Sequence, residues 1–139
     1  MAYLHWGVGV STGDPRPRAE TRTVEKPWGH ELIWALTDRY CGKLLFVRLG
    51  ESLSLQYHEA KDESWYVQEG RAELELSAVG VADREQIEIG AGDCFRFRPQ
   101  TVHRLRAIED TLIIEVSTPE IEDVVRLEDV YGREGTSEP

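Results

Sequence analysis

Gly50-Glu51-Ser52-Leu53-Ser54-Leu55-Gln56-Tyr57-His58 is the most informative stretch of this 139-residue chain. Its alternating pattern predicts a β-strand, in which Gln56 and His58 are two residues apart and face the same side of the sheet. A second alternating run begins at Glu63. We expect the short connection at 59–62 to join the two runs as a hairpin, so that their polar side chains converge.

A third segment contributes another histidine, which is expected to close a metal site. The four candidate metal ligands are Gln56, His58, Glu63 and His103. Imidazole, carboxylate and amide oxygen suit a divalent ion, zinc in the first place, with manganese, iron, cobalt or nickel as alternatives. A lone buried histidine is usually a hydrogen-bonded core residue, but two histidines, a glutamate and a glutamine at this spacing favour a metal. An octahedral ion with four protein ligands would keep positions open for water or substrate.

Length and composition predict one domain with loose ends. With 139 residues and 40% hydrophobic content the chain is long enough for one core. We expect an N-terminal arm or linker at 1–22, a domain at 23–134 and a disordered tail at 135–139. The formal net charge of −10, without a basic run, argues against nucleic-acid and membrane partners. A phosphorylated ligand would therefore need a local cluster of cations.

The cysteines and the absence of apolar runs predict a cytoplasmic protein. Cys41 and Cys94 form no CxxC pattern and do not suggest a disulfide framework, which fits a reducing compartment. The N-terminus lacks the basic and apolar regions of a secretion signal, and no segment has the length that a membrane span requires.

Short alternating stretches between turn signals predict an all-β domain, either a sandwich or a barrel. The nine predicted strands are 31–36, 43–49, 52–58, 64–68, 72–77, 86–89, 93–98, 103–107 and 111–117. After them, Thr118-Pro119 offers a helix N-cap with proline at the first helical position, and Gly132 offers a helix stop.

The candidate ligands lie in segments that resemble the two motifs of the cupin superfamily. The first motif is matched by Gly50, Gln56, His58, Glu63 and Gly70, and the second by Gly92-Asp93, Pro99 and His103. Gln56 stands where the family has its first histidine, and Gln100 replaces the usual glycine after the proline. The resemblance implies a single-domain cupin jelly-roll barrel, also called a double-stranded β-helix, with the metal inside.

The similarity narrows to the type II mannose-6-phosphate isomerase domain, over about residues 24 to 134. The shared segments are Lys26-Pro27-Trp28-Gly29, Ser54-Leu55-Gln56-Tyr57-His58, Glu63-Ser64-Trp65, His103-Arg104-Leu105 and Val125-Arg126-Leu127-Glu128-Asp129-Val130-Tyr131-Gly132-Arg133. In that family the domain follows a nucleotidyltransferase domain, which these 139 residues do not contain. The family's histidine-rich stretch is here Glu59-Ala60-Lys61-Asp62.

The resemblance implies interconversion of mannose 6-phosphate and fructose 6-phosphate at the metal. The available cations for the phosphate are Lys43, Arg48, Arg104, Arg126 and Arg133. Arg133, at the family's terminal Tyr-Gly-Arg, is the expected catalytic contact with the substrate. The competing interpretation is that Arg126 and Arg133 merely pair with the acidic residues around them.

Two other functions fit the same four ligands. One is an oxygen-using cupin with ferrous iron, and the other is a sugar- or metabolite-binding cupin without catalysis. We also expect a homodimer, with residues 1–22 reaching across to the partner, because small jelly-roll domains with exposed edge strands often pair those edges across a subunit interface.

Overall fold

The computed structural model describes residues 17–136, which form eleven β-strands. In chain order they are β1 (Arg22–Lys26), β2 (Gly29–Leu36), β3 (Cys41–Val47), β4 (Leu55–Tyr57), β5 (Glu63–Glu69), β6 (Arg71–Ala78), β7 (Glu85–Gly90), β8 (Cys94–Phe97), β9 (Thr101–Ala107), β10 (Thr111–Ser117) and β11 (Val125–Glu128). All nine predicted strands are present. β1 and β11 were not predicted, since both are short and carry charged residues.

The strands form two antiparallel sheets that pack face to face. One has six strands in the order β1-β2-β3-β10-β5-β8, and the other has five in the order β11-β4-β9-β6-β7. Their facing sides enclose a core that includes Trp65, Val67, Leu74, Leu105 and Ile113, all of them buried. The expected all-β sandwich or barrel is therefore the observed architecture.

The predicted hairpin between the first two functional segments is wrong. β4 pairs with β9 and β11, whereas β5 pairs with β8 and β10, so the two strands belong to different sheets. The connection at 59–62 instead crosses from one sheet to the other. The polar side chains still converge as expected, because the crossing passes over the space between the sheets.

The predicted helix start at Thr118-Pro119 is also wrong, and residues 17–136 contain no helix. Thr118 does not cap a helix because its hydroxyl accepts a hydrogen bond from the backbone of Asp62, at 3.0 Å. The chain then makes tight turns and pairs as β11 with β4, placing Arg126 opposite Gln56.

Two backbone positions have φ angles that favour glycine, and one of them is occupied by glutamine. At Gly29, φ is +154° and a Cβ atom would lie 1.7 Å from the carbonyl oxygen of Phe46, so this tight β1–β2 turn needs glycine. Gln100 has φ of 68°, in the left-handed region that glycine normally occupies. The unusual Gln100 therefore stands at a position whose backbone geometry suits glycine.

The predicted arm and tail fall largely outside the described residues, which begin at 17 and end at 136. Within the described range β1 begins at Arg22, and the domain limits remain a prediction. No helix in this range has the length and apolarity required to cross a membrane.

Candidate metal centre

Three of the four predicted ligands meet between the two sheets. Nε2 of His103 lies 2.9 Å and Nε2 of His58 lies 3.4 Å from Oε1 of Glu63. All three side chains are buried, and one ligand atom of each lies within 4.8 Å of the other two. His58 follows β4, Glu63 opens β5 and His103 lies in β9, so both sheets contribute to the cluster.

The main chain sets the tautomer of both histidines. Nδ1–H of His103 donates to the carbonyl oxygen of Thr101 at 2.9 Å, and Nδ1–H of His58 donates to the carbonyl oxygen of Asp123. A carbonyl oxygen only accepts hydrogen bonds, so the proton of each neutral ring lies on Nδ1. Each Nε2 therefore directs a lone pair at the cluster, the arrangement that metal-binding histidines use.

With both imidazole rings neutral, the atoms that converge are all acceptors. Across residues 17–136, the buried side-chain nitrogen and oxygen atoms that lack a hydrogen-bond partner are Nε2 of His58, Oε1 of Glu63 and Nε2 of His103. Leaving buried acceptors unsatisfied costs about 1–3 kcal/mol each. A cation among the three lone pairs would remove that cost, and the donor set of two imidazoles and a carboxylate fits zinc or a similar divalent ion.

The second carboxylate oxygen of Glu63 belongs to a buried ion-pair network. Nζ of Lys61 lies 2.8 Å from Oε2 of Glu63 and 3.3 Å from Oε2 of Glu115. Nε1 of Trp65 donates to the other oxygen of Glu115 at 3.1 Å. Burial alone would lower the pKa of Lys61, but the two glutamates hold it well above its usual range. Lys61 is therefore a permanent cation next to the candidate ligands.

Burial acts to raise the pKa of Glu63, yet Lys61 beside it holds that pKa well below the usual range. In Glu115, by contrast, burial raises the pKa against the opposing charge of Lys61. The two carboxylates around one ammonium group thus differ: Glu63 is the one kept ionised, as a metal ligand must be.

Gln56, the fourth predicted ligand, lines the same space but is not part of the tight cluster. Its Oε1 accepts a hydrogen bond from the hydroxyl of Ser54 at 2.9 Å. The backbone of Gln56 pairs with that of His103 across β4 and β9. An amide oxygen has two lone pairs, so the bond from Ser54 leaves one for a metal.

Asp123 fixes the loop that carries the ligands. Its carboxylate accepts hydrogen bonds from the backbone N–H groups of Glu59, Ala60 and Lys61 at 3.0, 2.7 and 2.9 Å. The same residue supplies the carbonyl oxygen that accepts from His58. One residue between β10 and β11 therefore orients a ligand and holds the crossing loop.

A cleft that is open to solvent leads to the cluster. Its charged and histidine lining consists of Lys26, Glu31, Lys43, His58, Lys61, Glu63, Glu115, Arg126 and Arg133. Five of these side chains are cationic and three are acidic, in a chain whose formal charge is −10. The local excess of positive charge favours an anionic ligand.

Three of the five predicted phosphate contacts line this cleft, namely Lys43, Arg126 and Arg133. The other two do not. Arg48 is exposed and donates to the carbonyl oxygen of Pro27, while Arg104 pairs with Glu75 on the outer side of the five-stranded sheet. Alternation explains Arg104, since its neighbour His103 points inward and Arg104 must point outward.

Arg133, the predicted catalytic contact, is buried and paired. Its Nε and Nη2 donate to the two carboxylate oxygens of Asp129 at 2.8 and 3.1 Å. Its guanidinium also lies 5.6 Å from the centre of the Tyr131 ring. The competing interpretation, pairing with an acidic neighbour, thus describes its contacts, although Arg133 also forms part of the cleft wall.

Sequence reasoning missed Lys26, Glu31, Lys61 and Glu115. Lys43 and Glu115 occupy inward positions of β3 and β10, in phase with buried Leu45 and Ile113. A charged residue in phase with core residues is the signal that would have identified Glu115. Nζ of Lys43 lies 3.2 Å from Oε2 of Glu31, so β2 and β3 contribute a second ion pair to the cleft lining.

Comparison with known sequences matches a family described as "Mannose-6-phosphate isomerase C-terminal" to residues 14–129. Among curated proteins, the alginate biosynthesis protein AlgA of Pseudomonas putida is 33% identical over 138 residues, which cover 91% of this chain and 27% of that protein. The mannose-1-phosphate guanylyltransferase ManC of Salmonella typhimurium is 35% identical over 116 residues, covering 81% of this chain and 23% of that protein. The chain therefore spans about a quarter of the length of these relatives.

Solved structures with the same fold include KdgF from Halomonas sp., at 28% identity and a TM-score of 0.60 over 73% of this chain and 86% of that chain. Oxalate decarboxylase from Lactobacillus farciminis aligns with a TM-score of 0.67 at 16% identity, over 86% of this chain and 39% of that one, and shows the fold alone.

Proposed function

The chain belongs to the family of mannose-6-phosphate isomerase C-terminal domains and has the expected cupin jelly-roll fold, and on that basis we propose that it is a metal-dependent sugar-phosphate isomerase. The proposed reaction is the aldose–ketose interconversion of the mannose 6-phosphate and fructose 6-phosphate type. The related proteins whose names concern alginate biosynthesis and mannose 1-phosphate support a sugar ligand.

The observation that supports this proposal most strongly is the position of the three unsatisfied acceptors beside a cleft rich in cations. His58, Glu63 and His103 would hold the metal, with Gln56 as the fourth ligand, and zinc is the first candidate. A divalent ion there would stabilise negative charge on the sugar oxygens. The cationic side chains of the cleft would bind the phosphate.

Isomerisation requires a base that removes a proton from C2 of the aldose and returns it to C1, while a proton moves between the two oxygens. We propose Glu31 for this step. Burial acts to raise the pKa of Glu31, but Lys43 and Lys26 hold it below its usual range, so the carboxylate is ionised at neutral pH. Glu63 is a candidate metal ligand and Glu115 shares Lys61 with it, so Glu31, which pairs with Lys43, is the remaining carboxylate of the cleft lining.

The experiment combines metal analysis with an isomerase assay on the wild type and three variants. His58→Ala is expected to lose the metal and the turnover. Glu31→Gln is expected to keep the metal and lose turnover. His30→Ala is the matched control, because His30 lies on Phe46, away from the cleft, with ring centres 4.4 Å apart. It should retain both properties.

Each of the other outcomes has a defined meaning. Metal without turnover on any phosphohexose would contradict the isomerase proposal. Ligand-dependent thermal stabilisation would then indicate a binding protein, and oxygen consumption with a ferrous form would indicate an oxygenase. Equal metal content in the wild type and in His58→Ala would refute the ligand assignment itself.

We also propose a cytoplasmic location. Cys41 is buried, Cys94 is exposed, and neither forms a disulfide. An exposed free thiol is typical of a reducing compartment. Labelling of Cys94 by a membrane-impermeant thiol reagent in lysed but not in intact cells would support this assignment.

A further inference from the structure

The two oxygens of the Glu63 carboxylate have different surroundings. Oε1 faces the Nε2 atoms of His103 and His58, at 2.9 and 3.4 Å, and is left without a hydrogen-bond donor when both rings are neutral. Oε2 lies 2.8 Å from the ammonium nitrogen of Lys61, so it already has a partner. One carboxylate thus presents an unsatisfied oxygen to the histidines and a satisfied oxygen to a cation.

Groups other than Glu63 hold Lys61 in place. Its Nζ lies 3.3 Å from Oε2 of Glu115, and Nε1–H of Trp65 donates to the other oxygen of Glu115 at 3.1 Å. The backbone N–H of Lys61 donates to the carboxylate of Asp123 at 2.9 Å. Both the backbone and the ammonium group of this lysine are therefore fixed, and its contact with Oε2 does not depend on a metal.

The ammonium group and both carboxylates are shielded from solvent. The side chains of Lys61, Glu63 and Glu115 expose only 5%, 1% and 5% of their surface. If the ammonium group were removed, Oε2 of Glu63 would become a second buried acceptor without a donor, which is unfavourable. A metal ion bound next to Oε1 is the partner that Oε2 would then turn toward.

The separations of the donor atoms suit coordination of a metal through Oε1. Zinc binds imidazole nitrogen and carboxylate oxygen at about 2.0–2.2 Å, which puts neighbouring donors roughly 2.8–3.6 Å apart when the angle at the metal is about 90–110°. The measured distances from Oε1 to the two Nε2 atoms, 2.9 and 3.4 Å, lie in that interval. Glu63 therefore needs little rearrangement to bind an ion through this one oxygen.

We propose that Lys61 is a positioning residue that restricts Glu63 to one-oxygen coordination of the metal. The ammonium group occupies Oε2, and its charge opposes the approach of a divalent ion to that oxygen. The ion then has one oxygen from Glu63, and the position that the second oxygen would fill stays available to Gln56 or to a ligand in the cleft. This inference rests on the ligand assignment of the proposed function, but not on the isomerase reaction.

A lysine that only balances the charge of its two glutamates would behave differently. The double variant Lys61→Met with Glu115→Gln removes one positive and one negative charge, so it keeps the net charge of the buried group. If charge balance is the whole role of Lys61, coordination of the metal in this variant is unchanged. If Lys61 positions Glu63, the freed Oε2 binds the metal.

The test is the coordination of the ion in metal-loaded protein, determined by crystallography with Zn²⁺ and by visible absorption with Co²⁺. In the wild type one oxygen of Glu63 should lie about 2.0–2.2 Å from the metal, with the other oxygen still paired with Lys61. In Lys61→Met and in the double variant both oxygens should lie within bonding distance. The absorption spectrum of Co²⁺ should shift accordingly, because it reports the number and arrangement of ligands.

Two control variants separate this effect from the loss of a buried cation. Lys43→Met removes another buried lysine of the cleft, whose Nζ lies 3.2 Å from Oε2 of Glu31 rather than from a candidate ligand. It should give the wild-type Co²⁺ spectrum. Lys61→Arg keeps a cation beside Oε2 and should also give that spectrum. Circular dichroism verifies that each variant is folded, and the double variant replaces Lys61→Met if the single variant fails this check.

One-oxygen coordination in the wild type and in both Lys61→Met proteins would overturn the proposal and leave the ligand assignment intact. Two-oxygen coordination in the wild type would do the same. Folded Lys61→Met proteins that bind no metal would show that Lys61 is needed for binding itself, which also overturns the restriction proposed. A wild type that binds neither Zn²⁺ nor Co²⁺ would refute the ligand assignment, and this inference with it.

Discussion

Lys61 places Nζ 2.8 Å from Oε2 of Glu63, whose other oxygen, Oε1, faces the Nε2 atoms of the two histidines. One carboxylate therefore joins a buried ammonium group to the candidate metal centre. Lys61 also contacts Glu115, so it balances two buried acids. The stability of the barrel interior should depend on this one lysine.

Lys61→Met is expected to lower the free energy of unfolding by about 3–5 kcal/mol at pH 7, because it leaves two buried carboxylates without a cation. In the wild type the folded pKa of Lys61 is raised, so its contribution is fully present below the unfolded value of about 10.4 and constant between pH 5 and 8. In the variant, the pKa of Glu63 should rise above its unfolded value, and that of Glu115, which burial already raises in the wild type, should rise further. The loss should then shrink as pH falls from 7 to 5.

Urea unfolding of chelator-treated protein at both pH values measures this effect. The double variant Lys61→Met with Glu115→Gln restores part of the charge balance and should recover part of the stability. A loss below about 1 kcal/mol, or one independent of pH, would contradict the role given to this pair.

Asp123→Ala should weaken metal binding about 10- to 100-fold, because loop groups that position a metal ligand contribute at this level. The variant removes the carboxylate that holds the N–H groups of residues 59–61 but keeps the carbonyl oxygen that orients His58. Competition with a metal chelator of known affinity gives the change. Asp83→Ala, at an exposed position outside the site, is the control and should bind as the wild type does.

Lys26→Ala should raise the KM for a phosphorylated sugar about 10- to 100-fold with a smaller change in kcat, since a charge-assisted hydrogen bond to phosphate contributes about 1.5–3 kcal/mol. Burial lowers the pKa of Lys26, and the nearby cations Lys43, Arg126 and Arg133 act in the same direction, against the opposing charge of Glu31. A bound anion would relieve that repulsion. Arg48→Ala is the control, since Arg48 lies outside the cleft. Equal KM values for Lys26→Ala and the wild type would remove Lys26 from the phosphate site.

Gln100→Gly should raise the free energy of unfolding by up to about 1 kcal/mol, because the left-handed conformation at φ of 68° strains a residue with a Cβ atom. The substitution keeps the backbone N–H of residue 100 that donates to the carbonyl oxygen of His58 at 2.7 Å. Gln100→Ala removes the same side chain without the added backbone freedom and should bring no gain. Thermal unfolding compares the three proteins, and a Gln100→Gly variant less stable than the wild type would refute the argument.

Local alternation predicted the nine strands and the shared direction of Gln56 and His58, because period-two patterns are local properties. The metal assignment of His58, Glu63 and His103 stays a prediction, although the three side chains do meet. β1 escaped prediction because four of its five residues, Arg-Thr-Val-Glu-Lys, are polar, as expected for an exposed edge strand. The hairpin prediction failed because the sheet to which β4 and β5 belong depends on distant partners. The carboxylate of Asp123, some 60 residues further along the chain, holds the crossing loop. The spacing of residues within 50–70 gives no indication of that contact.

The electrostatic part of the site was harder to predict. Arg104 and Lys43 are both cations within strands, but only the phase of each against buried neighbours tells which one faces the cleft. Lys61 lies in a loop, where no periodicity assigns a direction. Its burial follows from Glu63 and Glu115, two acids that meet only in the folded barrel.

The carbonyl groups of Thr101 and Asp123 that orient the two histidines belong to the main chain, so every amino acid at those positions offers the same acceptor. Mutation of side chains along the cleft can therefore alter what enters it without changing how the imidazoles are presented. Substitutions that change which ligand the cleft binds can therefore accumulate during evolution, because they leave the main-chain hydrogen bonds of the two imidazoles in place. Related proteins with different substrates can therefore keep the same orientation of the two imidazoles at the candidate metal centre.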